Sequence, residues 1–589
     1  MMLGEVIEMG NEYKKEVLVI FKTHLDIGFT DYAAVVKDRY INEFIPNAIR
    51  VGYELRDTDT PFVWTTGSWL IWEALKQDED GSVKRAIEDG IIRWHALPCT
   101  THTELMTEKL FEYGLSLSQR LDKHFNKHTI AAKMTDVPGH TIGMIPPMRR
   151  AGIEFLHIGV NTATPLPPVP PVFKWRCDDD EITVIYQTGY GEPMEFDDFV
   201  IYFAHTQDNK GPQSGAEIIK LYDKIKSEYP GCDIKAATLD DAAVRLRSVK
   251  NLPVIDKEIG DTWIHGVGTD PKKVGMYREL LRYIDNIDIS EKDLSDNLLL
   301  VPEHTWGMNL NVYFPDTVHW MNKDFEETLN TPQRERFERS WQEQRDYVTA
   351  AEKELGCDLK YDVQEPDLTG FKKVKECKTS FEISWQLFGL DDYTRYMKEY
   401  LTLNAENVGW AIWDYIKLGL PVKYGEIFTA KTTACYSAND TVLYKMEFDK
   451  DAELEYGLPY FWVEQSGNRL CVNMFKKSLS RLPQALWMKF KGFEEDWEIR
   501  KMGRWIGAND IIASPLICAS DYGVRNRDYE IESRDAVLVA PFGRRLLSYG
   551  NVPSGQDLYF NLYNNIWNTN FPMWYGDDTR FRFETKIRS

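Results

Sequence analysis

No Cys-x-x-Cys pair occurs in the 589 residues; the eight cysteines, at 99, 177, 232, 357, 377, 435, 471 and 518, are scattered. That spacing speaks against a zinc ribbon and leads us to expect free thiols in a reducing compartment. No run approaches the ~18 consecutive apolar residues of a membrane span. The opening segment to Lys15 is acidic and broken by glycines, with no apolar stretch of the kind a secretory signal carries. A cytoplasmic protein with no membrane partner is therefore expected. Positive charge is also in deficit. With 70 Lys and Arg against 92 Asp and Glu the net charge is −22, so a phosphate-binding surface, and with it a nucleic-acid partner, is not expected. A metal or a neutral or cationic small molecule fits such a chain better. Internal repeats and low-complexity segments are lacking, and homo-oligomerisation is left open.

What is present is ordinary globular composition, 43% hydrophobic and 28% charged, in a chain long enough for about three or four domains. Aromatic content is 13%, with 18 Trp, residues that serve either as core or as platforms for the C–H faces of sugars. Residues 15 to 240 alternate strand and helix signals. Seven strands are predicted: Val17–Phe21, Phe62–Thr66, Ile92–Ala96, Ile130–Met134, Phe155–Val160, Val200–Ala204 and Ile234–Thr238. Repeated β-α units imply a parallel sheet, and seven of them a closed or slightly open barrel. Phe173–Tyr186 reads as a hairpin with an acidic turn, an excursion from the barrel rim. From about 262 to 400 the period becomes helical, with helices predicted over Pro271–Asn286, Thr331–Leu355 and Asp391–Leu403. Beyond 405 short strands and turns indicate an antiparallel sandwich. The expected organisation is α/β multidomain: a seven-stranded (β/α) barrel over 1–262, a helical bundle over 263–404 and a C-terminal β-sandwich over 405–589.

A barrel places its chemistry at the C-terminal ends of its strands. After the first strand come His24 and Asp26, two residues apart and so on one face. After the fourth comes Asp136, followed by a Pro-Gly turn that would present it at the rim. After the sixth comes Asp208, and after the third His102 and Glu104. The helical region adds His304, in Pro302-Glu-His-Thr-Trp306. His24, Asp26, Asp136 and His304 together offer two imidazoles and two carboxylates, a donor set suited to zinc with room for substrate oxygens. Asp136 and Asp208 could flank a glycosidic bond, as retaining hydrolysis requires. Asp197-Asp198 is set aside because it precedes its strand and lies at the opposite end of the barrel.

These motifs resemble those of the glycoside hydrolase family 38 α-mannosidases, over most of residues 15 to 360. The family's His-x-Asp-x-Gly corresponds to His24, Asp26 and Gly28, and its Asp-x-x-Gly-His to Asp136, Gly139 and His140. Its acidic Gly-Asp-Asp loop corresponds to Gln207-Asp208-Asn209, and its helical-domain histidine to His304. The chain departs from the family at Ile27-Gly28-Phe29, at Val137-Pro-Gly-His140, at Glu303-His304-Thr305 and most at the acid loop. The resemblance implies one zinc ion bound to the protein and to two sugar hydroxyls. It also implies Asp136 as both ligand and nucleophile, Asp208 as general acid, and an exo-acting α-mannosidase-like enzyme with a carbohydrate substrate. Trp64, Trp69, Trp94, His102, Glu104, Trp263, His265, Asp270 and Trp306 are candidates to line its pocket. Asn564–Phe571 is either an Asn-rich turn or a loop returning to that pocket. Two other functions use the same residues: a metal-dependent carbohydrate deacetylase, and a sugar-binding protein without catalysis.

Overall fold

The computed structural model describes residues 14–287, 294–361, 363–375, 378–491, 496–513, 517–547 and 557–588. Its N-terminal part is built on parallel strands. The strand β1 (Glu16–Thr23) is apolar from Val17 to Phe21 and buried on both faces, as a strand wrapped by helices must be. The next strands are β2 (Trp64–Gly67), β3 (Ile92–His95), β4 (Ala131–Asp136), β5 (Phe155–Val160), β6 (Val172–Cys177), β7 (Asp180–Thr188), β8 (Met194–Glu195), β9 (Phe199–Thr206) and β10 (Asp233–Ala236). All seven predicted strands are present.

The parallel strands fall into two hydrogen-bonded sheets. In the first, β9 runs beside the whole of β1, while the opposite edge of β1 is shared by β10 near its start and β2 near its end; β3 follows β2. In the second, β4, β5 and β7 are parallel neighbours. Ala96 N, just past β3, donates to Ala131 O of β4 at 2.9 Å and links the two sheets. The predicted hairpin exists as β6 and β7, but it is not an excursion. Ile182, Val184 and Ile185 are fully buried, and β7 lies in register along β5. A hairpin arm with both faces apolar has to be covered, and the free edge of β5 covers it.

Helices predicted from periodicity occupy Pro271–Asn286, Pro332–Leu355 and Leu390–Tyr400, the second capped by the Thr331 side chain. Two antiparallel sheets of ten and six strands make up the C-terminal part. They pack through aromatic rings: Phe490 and Phe560 of one sheet meet Phe583 of the other at 5.4 and 5.1 Å. The strand Phe381–Leu387 belongs to the six-stranded sheet although it lies within the stretch read as helical. A buried ion group joins this part to the first: Lys501 Nζ sits 2.8 Å from Glu104 and 3.1 Å from Glu258.

Of the expected free thiols, Cys99, Cys177, Cys232, Cys357, Cys471 and Cys518 are free. Cys435 is disulfide-bonded, which corrects the expectation for that residue; separation in sequence does not forbid pairing in space. Cys377 lies outside the described residues. No helix among the described residues is long and apolar enough to cross a membrane.

Candidate functional site

Where β1 ends, the chain turns at Gly28, whose φ of +130° is open to glycine. A side chain there would also meet Thr305 at 3.1 Å. This turn admits the loop that carries His304. Phe29 N donates to Gly307 O at 3.1 Å, Asn309 N donates to Phe29 O at 2.9 Å, and His102 N donates to Pro302 O at 2.8 Å. Short backbone ladders thus tie residues 302–309 to the loops after β1 and β3, and residues nearly three hundred positions apart are brought together.

His24 Nε2 lies 3.2 Å from Asp26 Oδ1, and His24 Nδ1 shares a 2.7 Å hydrogen bond with Thr135 Oγ1. His304 Nε2 lies 3.1 Å from Asp26 Oδ1 and 3.5 Å from Asp136 Oδ2, while its Nδ1 is 2.7 Å from Glu303 Oε1. His24, Asp26 and His304 each offer a donor atom within 4.8 Å of the others. Asp26 Oδ2 and His304 Nε2 are buried without a hydrogen-bond partner among the described residues; the contact of His304 with Asp26 is close but lacks hydrogen-bond geometry. Orphaned donor atoms in an N/O set are what a cation would satisfy, so the residues present fit a divalent metal.

Asp136 has a left-handed backbone, φ 77°, at the last residue of β4. A non-glycine residue there is held at a cost of about 1–3 kcal/mol, a strain that concentrates at functional positions. Its Oδ1 accepts from Asn161 Nδ2 at 3.0 Å and from the Tyr190 hydroxyl at 3.0 Å. The same hydroxyl is 2.7 Å from Asp208 Oδ1. Asn209 locks the Asp208 loop onto the β1 loop: its side chain accepts from Asp26 N at 3.0 Å and donates to Asp26 O at 3.1 Å and Gly28 O at 3.0 Å. Tyr190 also stacks on His24 at 4.7 Å.

Burial alone would raise the Asp26 pKa, but the imidazoles of His24 and His304 hold it well below the usual carboxylate range. Asp136 is lowered as well, with His304 and His24 outweighing burial. His304 moves the other way: Glu303, Asp136 and Asp26 overcome burial and raise it well above an ordinary histidine. Asp208 is pushed up to about 6 by burial and then by Asp26 and Asp136. Two neighbouring carboxyls held apart in acidity is the pattern of an anionic group beside a proton donor.

Asp26, Asp136 and Asp208 line an open cavity of about 700 Å³, with Asn161, Tyr190 and Trp263 beside them. The far wall comes from the helix Val408–Tyr415, through Trp410, Trp413, Asp414 and Tyr415. Asp414 accepts from Asn311 Nδ2, and burial followed by Asp136 and Asp208 pushes it up to about 8.

Of the residues considered for the pocket, Trp263 lines the cavity; Trp64, Trp69, Trp94, His102, Glu104, His265, Asp270 and Trp306 are outside its lining. Trp64, Trp69 and Trp94 are buried core. His102 Nδ1 is 2.5 Å from Asp261, and Glu104 belongs to the Lys501 ion group. His265 stacks on Trp567 at 4.5 Å. Asp270 caps the helix Pro271–Asn286 and pairs with Arg345 at 2.6 Å. Trp306 has Lys273 Nζ 3.5 Å from its ring centre. Asp198, set aside earlier, pairs with Arg245 at 2.6 Å just before β9. The segment Asn564–Phe571 does return to the cavity, which Thr569 and Asn570 line. Tyr190, Asn161 and Asp414 escaped the sequence reading, and Asn209 entered it only as a member of the Asp208 loop; Gly189 and Gly191 around Tyr190 hint at a constrained turn.

By sequence, residues 267–371 match a family described as a domain of unknown function, DUF5054. That segment includes His304 and the helix Pro332–Leu355. No curated protein matches the chain. Among solved structures, the chain is similar to an alpha-mannosidase from Enterococcus faecalis V583, with a TM-score of 0.55 and 8% identity over 98% of this chain and 87% of that one. It is likewise similar to a protein in the glycosyl hydrolase family 38 from Enterococcus faecalis, with a TM-score of 0.54 and 8% identity over 98% of this chain and 86% of that one. At such identity the likeness is one of fold: a mixed α/β multidomain architecture that spans the whole chain.

Proposed function

We propose that this protein is a metal-dependent retaining glycoside hydrolase, exo-acting on α-mannosides, with the seven expected parallel strands and β7 together forming an incomplete barrel. One observation carries the reading: Asp136 and Asp208 face one open cavity beside the His24–Asp26–His304 cluster, bridged by a single tyrosine hydroxyl. With that hydroxyl 3.0 Å from one oxygen and 2.7 Å from the other, the two bridged oxygens lie less than about 6 Å apart, a spacing that accommodates the ~5–5.5 Å carboxyl separation of retaining enzymes.

In this reading His24, Asp26, Asp136 and His304 hold one divalent cation, for which zinc suits the N/O donors best. When bound, it supplies positive charge that fixes and polarises vicinal sugar hydroxyls. Asp136, ionised because the imidazoles favour its anion, attacks the anomeric carbon as the glycosidic C–O bond breaks. Asp208, protonated at mildly acidic pH, gives its proton to the leaving oxygen. In the second step Asp208 takes a proton from water as that water displaces Asp136, restoring both groups. Tyr190 and Asn161 orient Asp136, and Trp263 offers an aromatic wall to the sugar.

The test is a panel of aryl α- and β-glycosides with protein loaded with zinc and with protein stripped by a chelator. Cleavage of the α-mannoside that disappears on stripping and returns with zinc is expected. Equal turnover by stripped protein would overturn the metal's role, and acetate release from acetylated sugars without new reducing ends would indicate a deacetylase instead.

A further inference from the structure

The helix Val408–Tyr415 raises a question that the catalytic groups do not answer. Trp410 and Trp413 are each 37% exposed, and both line the cavity. Three residues apart on a helix, they stand side by side on one face. Neither indole has a ring, cation or hydrogen-bond partner among the described residues, although most other tryptophans of the chain are buried. Leaving two such rings half in water forfeits burial that the fold obtains from tryptophan elsewhere.

Their presentation is rigid. Before the helix, Asn407 Nδ2 donates to Thr162 O at 3.1 Å and Thr402 O at 2.9 Å. At its end, Asn568 Nδ2 donates to Trp413 O at 2.9 Å and Ile416 O at 3.3 Å. The helix thus holds a backbone carbonyl of the loop after β5 at one end through its own Asn407, and the Asn568 side chain of the returning Asn-rich segment holds its other end. A rigid aromatic surface loses little entropy when it takes up a ligand. The cavity of about 700 Å³ is of the size that buries a molecule of several rings, more than one monosaccharide needs.

We propose that Trp410 and Trp413 form the platform for the leaving-group sugar, so that the substrate is an oligosaccharide with a second pyranose on the far side of the scissile bond. The C–H face of that ring lies on the indoles, while Asn309, Asn311 and Asn570, which line the same cavity, meet its hydroxyls. The inference rests on the glycosidase reading and goes beyond it in assigning the leaving group.

The test compares α-mannosyl fluoride, whose leaving group has no ring, with each linkage isomer of α-mannobiose. In Trp410→Ala and Trp413→Ala the loss of kcat/KM on at least one mannobiose should exceed the loss on the fluoride by about tenfold, the measure of one good ring contact. Trp410→Phe and Trp413→Phe should recover part of it, and they replace the alanine variants if those do not fold. Equal losses on both substrates, or wild-type cleavage of the fluoride but of no mannobiose, would overturn the platform while leaving the hydrolase reading intact. If wild-type protein cleaves neither, indole fluorescence is titrated with the mannobioses. Quenching that the double alanine variant loses would then show a sugar on the indoles but overturn its assignment as a leaving group together with the hydrolase reading; absence of quenching in the wild type would remove the platform altogether.

Discussion

Replacing Glu303 by Gln should weaken metal binding without dismantling the site. Glu303 is buried, and its Oε1 lies 2.7 Å from His304 Nδ1 while its Oε2 accepts from Thr305 N at 2.9 Å. Glutamine keeps the shape and one acceptor but removes the negative charge behind the imidazole. Partners of this kind orient a ligating histidine and raise its basicity, and losing one costs about 10–100-fold in metal affinity, or about 1.4–2.8 kcal/mol. A compensation has to be counted. Glu303 is the foremost group that favours a proton on His304, and that proton competes with the metal. The substitution therefore weakens the competitor as well. A divalent cation carries twice the proton's charge, so the net effect remains a loss, toward the lower end of the range near neutral pH and larger at alkaline pH. Competition titration of zinc against a chromophoric chelator, at two pH values, measures it. Affinity unchanged at both would refute the role of Glu303 and, with it, that of His304 as a ligand.

Other predictions follow from the same contacts. Asp208 must be protonated to act as acid, and its pKa is raised to about 6, so kcat/KM should fall as pH climbs through that value; Asp208→Asn should remove this limb and cost about 10²–10⁴-fold on poor leaving groups. Asp414 is raised to about 8 and is mostly neutral at pH 7, so Asp414→Asn, which resembles the neutral acid, should retain most activity there, whereas Asp136→Asn should abolish it. Lys501→Met leaves Glu104 and Glu258 buried together without their cation; a denaturant titration should show a loss of about 3–5 kcal/mol.

Much of the parallel sheet was legible because strands covered on both faces must be continuously apolar, as Val17–Phe21 is. The meeting of His24, Asp26 and Asp136 could be anticipated because strand ends point to one mouth, whereas His304 lies in a loop of the helical region and only the family resemblance gives it a place there. The arm β7 was misplaced because an apolar period says that a face is covered, not by which neighbour. The strand Phe381–Leu387 did carry a signal: Phe381, Ile383, Trp385 and Leu387 alternate and are all buried, but the helical stretches around it set the reading. His102, Glu104 and Asp270 turned out to be tied into hydrogen-bond and ion networks that carry the loops. The wall that does face the carboxylates comes from residues 408–415, and no spacing in the chain announces that return.

The central claim is that Asp136 and Asp208 hydrolyse a glycoside by double displacement. Proton NMR of the sugar first released from α-mannosyl fluoride by zinc-loaded protein tests it most directly. The account predicts that the α-anomer of mannose appears first and then mutarotates; initial release of the β-anomer, or no release at all, would contradict it.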